Sequence, residues 1–135
     1  MPGTPSQEEI DSTISEIRDL FEKEGKTNYL GEPITKQMHM KQAGNLAKKD
    51  NASDEVTVGA FLHDIGHLIG LRENLKSMIS PDGTYIGTVN HGIVGGEFLA
   101  ERGFPVSVVD IVSGHVQAKR YLCYKYPTYY DSELK

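Results

Sequence analysis

Residues 56–70, VTVGAFLHDIGHLIG, form an almost wholly apolar segment around a histidine–aspartate pair, His63 and Asp64. The segment predicts one helix that begins after Asn51 or Ser53 and continues through residue 70. A helix that is apolar on nearly all sides is typical of the buried centre of a domain. The rest of the chain is therefore expected to pack around it.

Two helices are predicted before this centre. The first spans Gln7–Glu24, with a capping box formed by Ser6 and Glu9 and an end at Gly25. Its predicted core residues recur at steps of three and four: Ile10, Ile14, Ile17 and Phe21. The second spans residues 35–50, and its predicted core residues are Met38, Ala43 and Leu46.

Two more helices are predicted after the centre. Residues 72–90 contain the turn sequence SPDG and predict a short helix or an irregular loop. Asn90 is the predicted cap of the next helix, and the last begins near Pro105. The predicted core face of that last helix holds Val108, Ile111, Val112 and His115. With no alternating strand pattern, we expect an all-α bundle of about five or six helices forming one domain over residues 1–135.

The composition excludes several classes of protein. Lys+Arg 14 against Asp+Glu 19 give a net charge of −5, which argues against a nucleic-acid binder and against binding to an anionic membrane. The single cysteine, Cys123, excludes an intrachain disulfide framework and a cysteine-rich zinc module. The N-terminus has no basic segment followed by an apolar one, so a cytoplasmic location is expected.

Five histidines each lie in a predicted helix or at its start. They are His39, His63, His67, His91 and His115. Apart from His67, they are separated by about a helix and a connection, so successive helices could bring their rings to one interior point. Imidazole and carboxylate together suit iron, manganese or zinc, and an aspartate can bridge two cations. A lone buried histidine is more often a hydrogen-bonded core residue, and His67 could also be a residue that orients a ligand.

The pattern His39, His63-Asp64, His91, His115 resembles the HD-domain superfamily in its dinuclear form. Within it, the chain looks most similar to the PhnZ-type mixed-valent diiron oxygenases over about residues 29–130. The resemblance implies a helical bundle around two Fe ions, Fe(II)/Fe(III), held by these five side chains, with Asp64 as the bridging catalytic residue. It also implies O2-dependent cleavage of the carbon–phosphorus bond of a small hydroxyphosphonate, with release of phosphate.

The resemblance further implies contacts to the substrate from four residues: Tyr29, Glu32, His67 and Lys119. Without it, Tyr29 and Glu32 would be read as surface loop residues, and Lys119 as a solvated helix residue. The superfamily's metal set ends with an aspartate on a later helix. Asp131 is the only aspartate after His115 and is therefore the candidate extra ligand. We accordingly expect this chain to lack the C-terminal part of the family domain.

Two other functions fit the same residues. One is a dinuclear phosphohydrolase acting on a nucleotide or phosphodiester with Mn, Zn or Mg, in which two metals activate water for an in-line displacement. The other is a non-catalytic, truncated HD domain that binds metal poorly.

Overall fold

The computed structural model describes residues 4–26, 35–83 and 85–114, and the arrangement there is helical with one small hairpin. The expected all-α class is confirmed. Some predicted site residues lie outside the described residues: Tyr29, Glu32, His115, Lys119 and Asp131.

Helix α1, Gln7–Glu24, has the predicted bounds and the predicted capping box between Ser6 and Glu9. Its core face was predicted too far towards the N-terminus. Leu20 and Phe21 are buried and Ile17 packs against the core, whereas Ile10 and Ile14 are exposed. Only the C-terminal turns of α1 therefore reach the core.

Helix α2, Lys36–Lys49, begins after Thr35, whose hydroxyl accepts a hydrogen bond from the Met38 N–H. The prediction that Met38 and Leu46 belong to the core is wrong, since these residues are 47% and 62% exposed. The buried residues recur at steps of four instead: Lys36, Met40 and Gly44. Gly44 packs directly on Phe61 of the next helix, so the contact face is rotated from the predicted one.

The predicted central helix is two helices, α3 (Asp54–Leu62) and α4 (Ile65–Glu73), separated at His63 and Asp64. Residues 65–70 of α4 are all buried, as predicted, but α3 buries only Gly59 and Leu62. The predicted single helix is interrupted because the Asp64 backbone, at φ −104° and ψ 14°, leaves the helical region.

A β-hairpin stands where a short helix or an irregular loop was predicted for residues 72–90. Strands β1 (Ser77–Ile79) and β2 (Tyr85–Thr88) pair antiparallel. Thr88 of β2 is buried and packs on Gly70 of α4, where a Cβ atom would overlap the threonine side chain. The hairpin is therefore held against the central helix.

Helix α5, His91–Glu101, begins after Asn90, as predicted, but the Asn90 side chain makes no capping hydrogen bond. Asn90 instead supplies a left-handed backbone turn, with φ 56°. A sixth helix, α6, is described over residues 106–114 and begins after Pro105, with Val108 and Val112 buried as predicted.

In the described part of the chain, the core is formed by apolar side chains from each of the six helices. They are Leu20, Phe21, Met40, Leu62, Ile65, Leu68, Ile69, Phe98, Leu99, Val108 and Val112. Within the described residues, no helix combines the length and apolarity needed to cross a bilayer.

Candidate metal centre

The break between α3 and α4 directs the Asp64 side chain into the bundle. An aspartate directly before a helix commonly accepts a hydrogen bond from the first turn. The Asp64 carboxylate makes no such bond to α4. Its side chain turns towards the histidines, and the residue is only 2% exposed.

Three ligand atoms lie at the corners of a nearly equilateral triangle. His39 Nε2 is 3.1 Å from His63 Nε2 and 3.0 Å from Asp64 Oδ2. His63 Nε2 is 3.2 Å from the same oxygen. Atoms bound at right angles to one metal, each at about 2.1 Å, would be about 3 Å apart. The three atoms are therefore spaced as ligands of one metal ion would be, and imidazole with carboxylate is a donor set that iron, manganese and zinc accept.

The second oxygen of Asp64 faces other histidines. Oδ1 is 3.3 Å from His91 Nε2 and 3.8 Å from His67 Nε2. The rings of His67 and His91 are stacked, with centroids 3.8 Å apart and planes inclined at 20°. Because Oδ2 belongs to the triangle and Oδ1 to this second group, the Asp64 carboxylate can span two metal ions.

The two histidines of the HDIGH sequence make hydrogen bonds to the backbone in opposite directions. His63 Nδ1 is 2.6 Å from the carbonyl oxygen of Ala60. A carbonyl only accepts, so Nδ1 carries the hydrogen and the Nε2 lone pair is left for a metal. At His67, by contrast, Nδ1 accepts a hydrogen bond from the Thr88 N–H at 3.0 Å.

Close approach of α4 and α5 positions His91. A Cβ atom on Gly66 would overlap the backbone carbonyl of His91. Gly95 of α5 also lies close to α4, since its Cβ would be 3.1 Å from Ile65 and 3.2 Å from the Gly66 nitrogen. Glycine therefore allows α5 to place His91 beside Asp64.

A buried cation lies on the same helix as His39. Lys36, one turn before His39, is only 2% exposed. Burial lowers the pKa of its ammonium group from the ordinary 10.5, while the charges of Asp64 and Glu24 act in the opposite direction. Lys36 was not among the residues predicted from the sequence, although its spacing from His39 places the two residues on neighbouring positions of one helix surface.

The structure brings together five residues that the sequence analysis singled out: His39, His63, Asp64, His67 and His91. Neutral imidazoles and a carboxylate are donors that iron, manganese and zinc all accept, so this part of the chain fits a metal site. The predicted ligand His115 and the predicted contacts Tyr29, Glu32 and Lys119 fall outside the described residues.

Comparison with known proteins agrees with this geometry. Residues 38–129 match the HD domain family. An uncharacterized protein of Acanthamoeba polyphaga mimivirus is 37% identical over 124 residues, which is 92% of this chain and 54% of that protein. The [1-hydroxy-2-(trimethylamino)ethyl]phosphonate dioxygenase (glycine-betaine-forming) of Leisingera caerulea is 39% identical over 115 residues, covering 85% of this chain and 55% of the relative.

A third relative is the hydroxymethylphosphonate dioxygenase of Gimesia maris, 33% identical over 111 residues, which is 82% of this chain and 51% of the relative. The chain thus spans about half the length of the curated relatives it matches. The family match covers more than half of the chain and includes each described histidine together with Asp64. On sequence and on the arrangement of these side chains, the chain belongs to the HD domain family.

Proposed function

We propose that this chain forms the metal-binding part of an O2-dependent diiron oxygenase that cleaves the carbon–phosphorus bond of a small 1-hydroxyphosphonate. The observation that carries the proposal is the division of the Asp64 oxygens between two groups of histidines. The names of two relatives support the substrate class, because both are dioxygenases of hydroxyphosphonates.

In this proposal, His39, His63 and Asp64 would hold one iron. Asp64 and His91 would contribute to a second, with His115 as a further ligand and Asp131 as a candidate for the remaining position. The iron pair, when bound, would supply O2 activation. The chain's own residues orient the substrate and limit the access of water.

The charge of the site favours an anionic substrate. In the described part of the cluster, one carboxylate is the only anionic donor and the other donors are imidazoles. Two iron ions would therefore keep a large excess of positive charge, to which a phosphonate is complementary. Lys36 adds a buried positive group nearby. With two iron ions bound, this local positive charge would outweigh the net charge of −5 on the whole chain.

Substrate contacts are assigned to four residues: Tyr29, Glu32, His67 and Lys119. His67 supports this assignment through its position, since its Nε2 faces the Asp64 carboxylate from the second group. The overall reaction balances with one O2. The C–H and C–P bonds of R–CH(OH)–PO3²⁻ break, and the products are R–COO⁻, HPO4²⁻ and one proton. The substrate thereby loses the four electrons that reduce O2.

The test uses the full chain, loaded anaerobically with iron and mixed with hydroxymethylphosphonate or [1-hydroxy-2-(trimethylamino)ethyl]phosphonate. We expect one phosphate released for each O2 consumed, and no phosphate under argon. Phosphate released from nucleotides under argon, without activity on phosphonates, would establish the hydrolase instead. An iron-loaded chain inactive on all of these substrates would contradict both functions and favour a non-catalytic domain.

A further inference from the structure

The backbone of strand β2 contacts one edge of the His67 ring. The backbone N–H of Thr88 donates to His67 Nδ1 at 3.0 Å, and Thr88 is only 1% exposed. The preceding residue, Gly87, has φ 127°, and a Cβ atom there would overlap the imidazole. The backbone of β2 therefore lies directly against the ring, where only glycine fits.

This contact determines which ring nitrogen carries a hydrogen. A backbone N–H can only donate, so Nδ1 must present its lone pair to Thr88. A neutral imidazole has one N–H, which then lies on Nε2. Nε2 is the atom that faces Asp64 Oδ1, at 3.8 Å. Binding a metal through Nε2 would move the hydrogen to Nδ1, where it would oppose the Thr88 N–H.

We propose that Thr88 is a positioning residue: its N–H fixes His67 as a hydrogen-bond donor that points Nε2–H into the metal cluster. His67 is thereby kept out of the ligand set, although its Nε2 lies 3.8 Å from Asp64 Oδ1. The ring gives the site a donor for an anion bound beside the metals. The anion-binding role rests on the proposed function, whereas the position of the hydrogen does not.

Nitrogen NMR of the metal-free protein, at a pH where the rings are neutral, tests the hydrogen position directly. We expect His67 to carry its hydrogen on Nε2 and His63 to carry its hydrogen on Nδ1, next to Ala60. Ring signals are assigned with the His67→Gln and His63→Gln variants. A hydrogen on Nδ1 of His67, or rapid exchange between its two nitrogens, would overturn the proposal whatever the enzyme's activity.

The Thr88→Pro variant removes the N–H, and Thr88→Val, its control, keeps the N–H while removing the hydroxyl. We expect the ring hydrogen of His67 to prefer Nε2 over Nδ1 in Thr88→Val and to lose this preference in Thr88→Pro. If both variants keep the preference for Nε2, the backbone of β2 does not determine the position of the hydrogen. If Thr88→Pro fails to fold, the measurement on the wild-type protein still decides the question.

Two replacements of His67 test the donor. The side-chain amide of His67→Gln reaches the place of Nε2, and that of His67→Asn reaches the place of Nδ1. With iron-loaded protein and inorganic phosphate as probe, we expect His67→Asn to weaken binding about 10- to 100-fold, the effect of one hydrogen bond to a charged group. His67→Gln should stay within a few-fold of wild type, and both should retain iron. Equal losses of phosphate affinity, or loss of iron, would contradict the proposal.

Discussion

Nε2 of His39 lies 3.0 Å from Oδ2 of Asp64, although the two residues come from separate helices. The contact depends on the break at residues 63–64. In a continuous helix, His63 and Asp64 would point about 100° apart, and their ligand atoms would diverge. The break instead lets both side chains meet His39 at one point.

Replacing Asp64 by Asn should remove most of the bound iron. The change preserves the shape of the side chain but removes the only described anionic donor of the cluster, so two buried cations lose their compensating charge. Metal analysis after anaerobic loading and gel filtration measures the effect. Asp54→Asn, at an exposed position in the first turn of α3, is the matched control and should retain iron. Wild-type iron content in a folded Asp64→Asn protein would contradict the bridging role.

The Gly66→Ala variant should destabilise the fold and displace His91. Its Cβ would overlap the His91 carbonyl, and backbone cannot move aside as a flexible side chain can. We expect the free energy of unfolding in urea to fall by about 1–3 kcal/mol, as in other overpacked cores. Gly114→Ala on α6 is the control, because none of the described residues has an atom within 4 Å of its added Cβ. Equal stability of the two variants would show that α4 and α5 can separate without cost.

The cluster was largely predictable because histidines repeat at helix-sized intervals around His63 and Asp64. The break between these two residues was not, since the apolar pattern runs through it and neither glycine nor proline stands at either position. The side chain of Asp64 faces histidines instead of capping α4, and such a tertiary contact leaves no local signal.

The hairpin and the face of α2 were missed for different reasons. Strands of three and four residues are too short to show an alternating pattern. On α2, hydrophobicity favoured Met38, but Gly44 lets α3 approach the side of the helix that carries Lys36 and Met40. Close packing of α3 at Gly44 therefore decided which face of α2 is buried. This face contains Lys36, whereas Met38 is left exposed.

Glu16 connects α1 to α4 and to the end of α5, and its loss should weaken the bundle in a pH-dependent way. Its carboxylate accepts hydrogen bonds from Arg102 Nε at 2.7 Å and from an Arg72 guanidinium nitrogen at 2.9 Å. The hydrogen bond from Arg102 is the main reason that the pKa of Glu16 is lowered from 4.5. The stabilisation is therefore present above pH 4.5 and is lost as the pH falls through the lowered value.

We expect Glu16→Gln to reduce the free energy of unfolding by about 1 kcal/mol at neutral pH, because the ion pairs are partly exposed. The difference from wild type should shrink in acid. Urea unfolding at several pH values measures it, with Glu22→Gln, an exposed position on α1, as control. A difference that grows towards low pH would contradict this account of Glu16.

Lys36 should make the stability of the metal-free protein rise with pH. Burial lowers the pKa of its ammonium below 10.5, despite the opposing charges of Asp64 and Glu24. Between the lowered pKa and 10.5, the folded protein holds fewer protons than the unfolded chain. The free energy of unfolding consequently increases with pH in this interval.

The Lys36→Met variant removes the titrating group while keeping an unbranched side chain at the buried position. Subtracting its free energy of unfolding from that of wild type, measured in urea from neutral pH to about pH 10, should leave a difference that rises with pH. Lys41→Met changes an exposed lysine of the same helix, and its difference from wild type should stay flat. Parallel curves for wild type and Lys36→Met would mean that Lys36 is as easily protonated in the fold as in the unfolded chain, and that its ammonium is not desolvated beside the metal cluster.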